Sequence, residues 1–237
     1  MIHCAEWCAV RRKIKERMMM TKKHFLVLLF IQMASLLTCS FVHAGETPAI
    51  IDRPVMWSEE RARLTQEYAQ LHYGQAMTSI TPQAIVVHWT AENSWESAYH
   101  HFYQPAASDG TMNYAAHFIV DRDGTILRLL PETTMGRHII GYNWCSIGIE
   151  NVGGVNGAED LTEEQLTANV ALIRYLHQKY PTIRYVFGHY QQDKARESGL
   201  YIELVNGYRS IKTDPGKIFM SGLRTQLHAD GLIFYED

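Results

Sequence analysis

Three short apolar runs constrain the fold of this chain more than any other feature. They are AIVVHW (84–89), SIGIENV (146–152) and IRYVFGH (183–189). Runs this short and rich in β-branched residues are typical of strands that pack inside a sheet. The sequence therefore predicts a sheet with buried strands at these three places.

Helices and a hairpin are predicted between these strands. Helix-like spacing of apolar or aromatic residues is found in three segments, 57–74, 94–104 and 161–180. The clearest is the last, in which Thr162 and Gln165 form a capping box. Asp-Arg-Asp-Gly at 121–124 predicts the turn of a hairpin. Strands mixed with helices in this way indicate an α/β domain with a central mixed β-sheet flanked by helices.

The N-terminal segment differs from the rest of the chain. The length of 237 residues fits one domain plus an appendage, and residues 1–44 form that appendage. A basic stretch is followed by a mostly apolar stretch that ends in Val-His-Ala, which predicts a secretory signal cut after Ala44. The alternatives are a retained membrane anchor or lipidation at Cys39. A start codon at Met18 would leave residues 1–17 untranslated.

Composition changes once the predicted signal is set aside. The remaining residues carry 22 − 7 = 15 Lys and Arg against 25 − 2 = 23 Asp and Glu, a net charge of −8 with neutral histidine. An acidic protein is a poor partner for nucleic acid, so we expect none. Cys145 is then the single cysteine, which leaves no pair for an internal disulfide. We expect an exported monomer with no stable membrane span in the mature form.

Two histidines come at the ends of predicted strands and are candidate metal ligands. His88 lies near the end of the first run and His189 ends the third. A single histidine at such a place is more often structural, and neither His-Glu-x-x-His nor Cys-x-x-Cys occurs. Spacing alone therefore gives only a weak prediction of zinc.

The stretch KTDPGKIF (212–219) strengthens that prediction. In an extended segment residues i and i+2 point the same way, so Lys212 and Asp214 should face one site. Asp214 followed by Pro215 also predicts a helix N-cap. A carboxylate has two oxygens, so one could cap the helix while the other binds a metal.

Together these motifs carry a family resemblance. The ordered set IVVHWTA, AHFIVDRDGTILRLLP, SIGIENV, FGH and KTDPGKIF resembles the zinc-dependent N-acetylmuramoyl-L-alanine amidases. That family includes bacterial cell-wall amidases and is related to phage amidase lysozymes and peptidoglycan recognition proteins. The resemblance implies an amidase catalytic domain at 84–237, preceded by a lead-in and helix at 45–83.

The resemblance implies a role for individual residues. It makes His88, His189 and Asp214 the zinc ligands, and Glu150 and Lys212 the catalytic residues. It places His138 in the substrate groove, and Trp89 is a further candidate for substrate contact. Two imidazoles, a carboxylate and an open fourth position are typical of catalytic zinc. His117 is expected to be packed or to support a ligand.

The implied reaction is hydrolysis of the amide between N-acetylmuramic acid and L-alanine in peptidoglycan or muropeptides. Two alternatives stay open, a non-catalytic peptidoglycan-binding module and a zinc peptidase that acts on the stem peptide. One departure from shorter family members is the distance of 25 positions from His189 to Asp214. We expect the intervening residues to form a loop at the mouth of the groove.

Overall fold

A computed structural model describes residues 47–236 of the chain, so the predicted signal lies outside the described residues. Seven strands form one mixed sheet in the order β1-β4-β3-β5-β2-β6-β7. The strands are β1 (Ile50–Asp52), β2 (Ala84–Trp89), β3 (Phe118–Val120), β4 (Ile126–Arg128), β5 (Ser146–Asn151), β6 (Tyr185–Gly188) and β7 (Ile233–Phe234). Strands β3, β5, β2, β6 and β7 run parallel, whereas β4 runs antiparallel to β3. The predicted α/β class with a central mixed sheet is confirmed.

The described residues contain four α-helices, which are α1 (Glu59–Tyr73), α2 (Trp95–Tyr103), α3 (Glu163–Lys179) and α4 (Lys217–Leu227). The predicted capping box of α3 is present, since the Thr162 hydroxyl accepts from Gln165 N and the Gln165 side chain accepts from Thr162 N. Ser94 caps α2 in the same manner as Ser58 caps α1. Each of these three helix starts is therefore set by local sequence.

The alternation of side chains along the strands separates two faces of the sheet. Ile85 and Val87 of β2 join the buried cluster formed with α3 and α4. Val86 packs in a different cluster on the other face, beside Phe187 of β6. Because strand side chains alternate with period two, His88 shares the face of Val86, away from α3 and α4.

The structure differs from the sequence predictions at both edges of the sheet. The extended lead-in contains β1, which pairs in parallel with β4, and the end of the chain contains β7, which pairs with β6. These strands have three and two residues, too few for a periodic pattern to be visible.

The predicted N-cap role of Asp214 is wrong. Helix α4 begins at Lys217 with Gly216 as its N-cap. Glycine has no side chain that could accept a hydrogen bond from the first turn. Instead, Glu159 Oε2 accepts a hydrogen bond of 2.9 Å from Ile218 N. A carboxylate remote in sequence thus satisfies the helix start, which leaves Asp214 for other contacts.

Membrane-spanning helices are not found within residues 47–236, where every helix is too short or too polar to cross a bilayer.

Candidate metal centre

Three side chains that are distant in sequence bring one lone-pair atom each to a common point. His88 Nδ1 lies 3.0 Å from His189 Nδ1 and 3.0 Å from Asp214 Oδ2. His189 Nδ1 lies 3.1 Å from the same carboxylate oxygen. All three residues are buried. The cluster can hold a metal ion, and it unites the three predicted ligands.

The sheet positions two of these ligands at the carboxyl ends of parallel strands. Strand β2 lies between β5 and β6, so His88 near its end lies close to His189, which directly follows β6. In open α/β sheets, ligands bind beyond these strand ends.

Asp214 reaches the cluster through the segment that leads into α4. Its carbonyl oxygen accepts a hydrogen bond of 3.0 Å from Tyr190 N, one residue after His189. Gly188 permits this approach, because a Cβ atom there would lie 2.8 Å from Pro215 Cδ. The backbone therefore places the aspartate beside the second histidine.

The tautomer of His88 follows from the contacts of His138. His138 Nε2 faces the carbonyl oxygen of Ser146 at 3.3 Å and its hydroxyl oxygen at 3.4 Å. That hydroxyl donates its own hydrogen to Tyr142 O, so both oxygens act as acceptors and Nε2 must carry the proton. His138 Nδ1 then accepts from His88 Nε2 at 3.1 Å. His88 consequently presents an unprotonated Nδ1 to Asp214.

This arrangement fits a cation. Burial lowers the pKa of His88 to about 4, so the imidazole is neutral at neutral pH. Its Nδ1 lone pair faces a carboxylate oxygen at 3.0 Å with no hydrogen between them, a repulsive contact that a cation relieves. Tetrahedral zinc with ligands at 2.0–2.1 Å separates neighbouring ligand atoms by about 3.3 Å. The distances within the cluster come within a few tenths of an ångström of this value.

The carboxyl group of Asp214 is ionised in this setting. Burial acts to raise the pKa of Asp214, but the interactions of the carboxylate with the His189 and His88 side chains outweigh burial and lower the pKa below the usual value of 3.8. The cluster thus combines two imidazole nitrogens with a carboxylate. This donor set suits zinc, which binds nitrogen and oxygen ligands.

Glu150 lies beside the cluster in a different electrostatic state. It pairs with His88 in the register of β5 and β2, so both side chains lie on one face of the sheet. Its Oε2 is buried with no hydrogen-bond partner among the described residues. Burial raises the pKa of Glu150 well above 4.5, Asp214 raises it further, and Lys212 opposes the shift. A carboxyl group whose pKa is raised in this way holds a proton more readily than an ordinary carboxylate, as a general base must.

A cavity of about 560 Å³ opens over the cluster. The predicted site residues all line it, namely Trp89, His88, His138, Glu150, His189, Lys212 and Asp214. Lys212 is exposed and Asp214 is buried, and both residues line this cavity. The long 190–213 loop contributes residues 208–213 to the wall of the same cavity.

The contact of His138 with a predicted ligand was missed by sequence reasoning, which assigned this side chain to substrate contact. Gly148 makes room for the imidazole, since a Cβ atom there would lie 2.7 Å from His138 Cγ. A glycine inside a predicted strand is a signal of close approach. His117 is packed as expected, with Nδ1 accepting from Gly148 N and Nε2 donating to Thr134 O.

Fold and site together define an α/β domain with a mixed sheet that carries, at its strand ends, a buried His-His-Asp cluster able to hold a metal ion. The N-acetylmuramoyl-L-alanine amidase family matches residues 78–217, more than half of the chain. The chain therefore belongs to that family.

Individual proteins resemble parts of this chain. The endolysin of Enterobacteria phage K11 is 33% identical over 76 residues, covering 30% of this chain and 50% of the endolysin. The endolysin of Enterobacteria phage T3 is 36% identical over 77 residues, covering 32% and 51%. The chain spans about half the length of these curated relatives.

A solved structure shares the fold. The endolysin and N-acetylmuramoyl-L-alanine amidase LysCS from Clostridium intestinale URNW superposes with a TM-score of 0.51 and 23% identity. The superposition covers 78% of this chain and 99% of LysCS.

Proposed function

We propose that this protein is a zinc-dependent amidase that hydrolyses the bond between N-acetylmuramic acid and L-alanine in peptidoglycan or muropeptides. The observation that carries the proposal is the convergence of His88 Nδ1, His189 Nδ1 and Asp214 Oδ2 within 3.1 Å of one another. Membership of the N-acetylmuramoyl-L-alanine amidase family supports the choice of this amide as the bond that is cut. The cavity above the cluster supports a bound substrate.

His88, His189 and Asp214 would hold the zinc ion, which when bound would supply Lewis acidity toward the scissile carbonyl and the attacking water. Glu150 takes the proton of that water and returns it to the leaving amine, a role that its raised pKa supports. Lys212 lines the same cavity and stabilises the oxygen that becomes negative. Trp89 forms part of the wall that holds the substrate.

We propose that the protein acts after export, in the periplasm or outside the cell. The basic and apolar pattern of residues 1–44 supports this location.

Digestion of purified sacculi tests the proposed bond. We expect the protein to release peptides that begin with L-alanine and to leave the sugar strands intact, as read by mass spectrometry of both fractions. Cuts found only inside the peptide would show a peptidase. Binding to sacculi without any release would show a non-catalytic module.

A substitution at His138 tests whether this side chain supports the metal. His138→Phe keeps a ring of similar size but removes the acceptor for His88 Nε2–H, so we expect zinc affinity to fall by roughly 10–100-fold. His138→Gln can still donate to Ser146 O and accept from His88, so its loss should be smaller. Competition with a chelating dye measures both, with the exposed His228→Phe as control. Unchanged affinity in His138→Phe would assign His138 to substrate contact alone.

A further inference from the structure

A buried arginine without an acidic partner forms part of the cavity wall. Arg137 is 8% exposed, and its guanidinium lies over the rings of Tyr114 and Tyr68 at 4.3 and 5.1 Å from their centroids. Within residues 47–236 it forms no ion pair, and its Nε is buried without a hydrogen-bond partner. Arg137 is linked to a carboxylate indirectly, through Thr111 Oγ1, which accepts from Arg137 and donates to Asp109.

The guanidinium determines how two phenol groups are oriented. Arg137 Nη2 donates to the hydroxyl of Tyr208 at 3.1 Å and faces that of Tyr114 at 3.5 Å. Because a guanidinium can only donate, both phenol oxygens accept from it, and neither hydroxyl hydrogen is used in these two contacts. The Tyr208 hydroxyl also shares a hydrogen bond with the Tyr68 side chain. A neighbouring positive charge polarises these hydroxyls and makes them stronger donors.

The charge of this wall is positive. Arg137, Arg209 and Lys212 line the cavity, and the acidic groups that line it are Glu150 and Asp214 at the metal centre. Away from that centre, the cavity therefore combines Arg137 and Arg209 with two polarised hydroxyl donors. A carboxylate complements such a wall, since charge-assisted hydrogen bonds are stronger than neutral ones.

We propose that the hydroxyls of Tyr114 and Tyr208, backed by Arg137, bind a carboxylate of the peptide half of the substrate. This subsite rests on the proposed function. One side of the scissile amide carries an N-acetylated sugar without charge at that end, whereas a peptide ends in a carboxylate. The positive wall thus orients the peptide half, and the sugar half lies on the other side of the metal centre.

Calorimetry with a product-like peptide tests the subsite without hydrolysis. The probes are a synthetic tripeptide with L-alanine at its N-terminus and free carboxylates, and the same tripeptide fully amidated. In the zinc-loaded wild type we expect the acid to bind about tenfold more tightly than the amide. In the Tyr114→Phe/Tyr208→Phe double variant the ratio should fall to near one, with unchanged affinity for the amide.

The controls keep this test independent of folding and of the reaction. Both substitutions keep the ring that packs on Arg137, each single variant is measured too, and Tyr99→Phe on α2 is the matched control outside the cavity. Equal binding of acid and amide to the wild type, or a ratio that persists in the variants, would overturn the subsite. If the protein hydrolyses muropeptides but binds acid and amide equally, the proposed function stands and the subsite is rejected. A preference without hydrolysis would retain the subsite and reject the function.

Discussion

Replacing Glu150 with glutamine is expected to lower the rate of muropeptide hydrolysis by about 10²–10⁴-fold while zinc stays bound at one ion per chain. Glutamine fills the same space at the end of β5 but cannot accept the proton of the attacking water. Glu150 is not one of the three residues whose side-chain atoms would bind the metal, so the variant should keep its zinc. Hydrolysis is measured by chromatography of released peptide, and zinc by elemental analysis of the same preparation.

The pH dependence of this reaction separates a proton-transfer role from a packing role. Because burial raises the pKa of Glu150, kcat/KM of the wild type should fall as the pH is lowered through that pKa and Glu150 becomes protonated. The residual activity of Glu150→Gln should lack this acidic limb. The exposed Glu96→Gln on α2 serves as control. Full turnover in Glu150→Gln would place the base elsewhere in the cavity.

Replacing Asp214 with alanine is expected to lower zinc affinity by more than about 100-fold, a larger loss than that expected for a residue that only supports a ligand. The variant keeps both imidazoles but loses the one carboxylate of the centre, and hydrolysis should fall in proportion to the zinc that is lost. Titration with a chelating dye measures the affinity, and activity is followed as zinc is added back.

Asp214→Cys is the conservative counterpart of this variant. A thiolate is a good zinc ligand, so the cysteine variant should recover most of the affinity that alanine loses. Asp193→Ala removes an exposed carboxylate from the 190–213 loop and should bind zinc like the wild type. Wild-type affinity in Asp214→Ala would mean that the aspartate is not a ligand.

Local sequence was sufficient for the elements whose starts are set by neighbouring residues. The capping box at Thr162 and Gln165 predicted the start of α3, and the apolar run at 84–89 predicted β2 with its observed bounds. The turn at 121–124 predicted the pairing of β3 with β4. In each case the interacting residues are close in the chain, so the pattern itself contains the interaction.

Local sequence failed where a partner is remote. The cap of α4 comes from Glu159 rather than Asp214, and the edge strands β1 and β7 exist only through pairing with β4 and β6. The part of the long loop at 199–208 is held in a similar way. Glu203 Oε1 lies 2.9 Å from His72 Nδ1 of α1. The two side chains form a buried pair although they are 131 positions apart in the sequence.

The sequence by itself determined the chemistry that is available: two histidines at strand ends, an aspartate two positions after a lysine, and a glutamate at the end of another strand. Tertiary structure decided that these groups meet. His88 meets His189, 101 positions away, because β2 lies beside β6, and strand order is a property of the packed sheet. His88 meets Asp214, 126 positions away, because the segment before α4 hydrogen-bonds to Tyr190 N. It also decided that His138 selects the tautomer of His88 and that Arg137 is buried among tyrosines, since neither contact leaves a periodic trace in the chain.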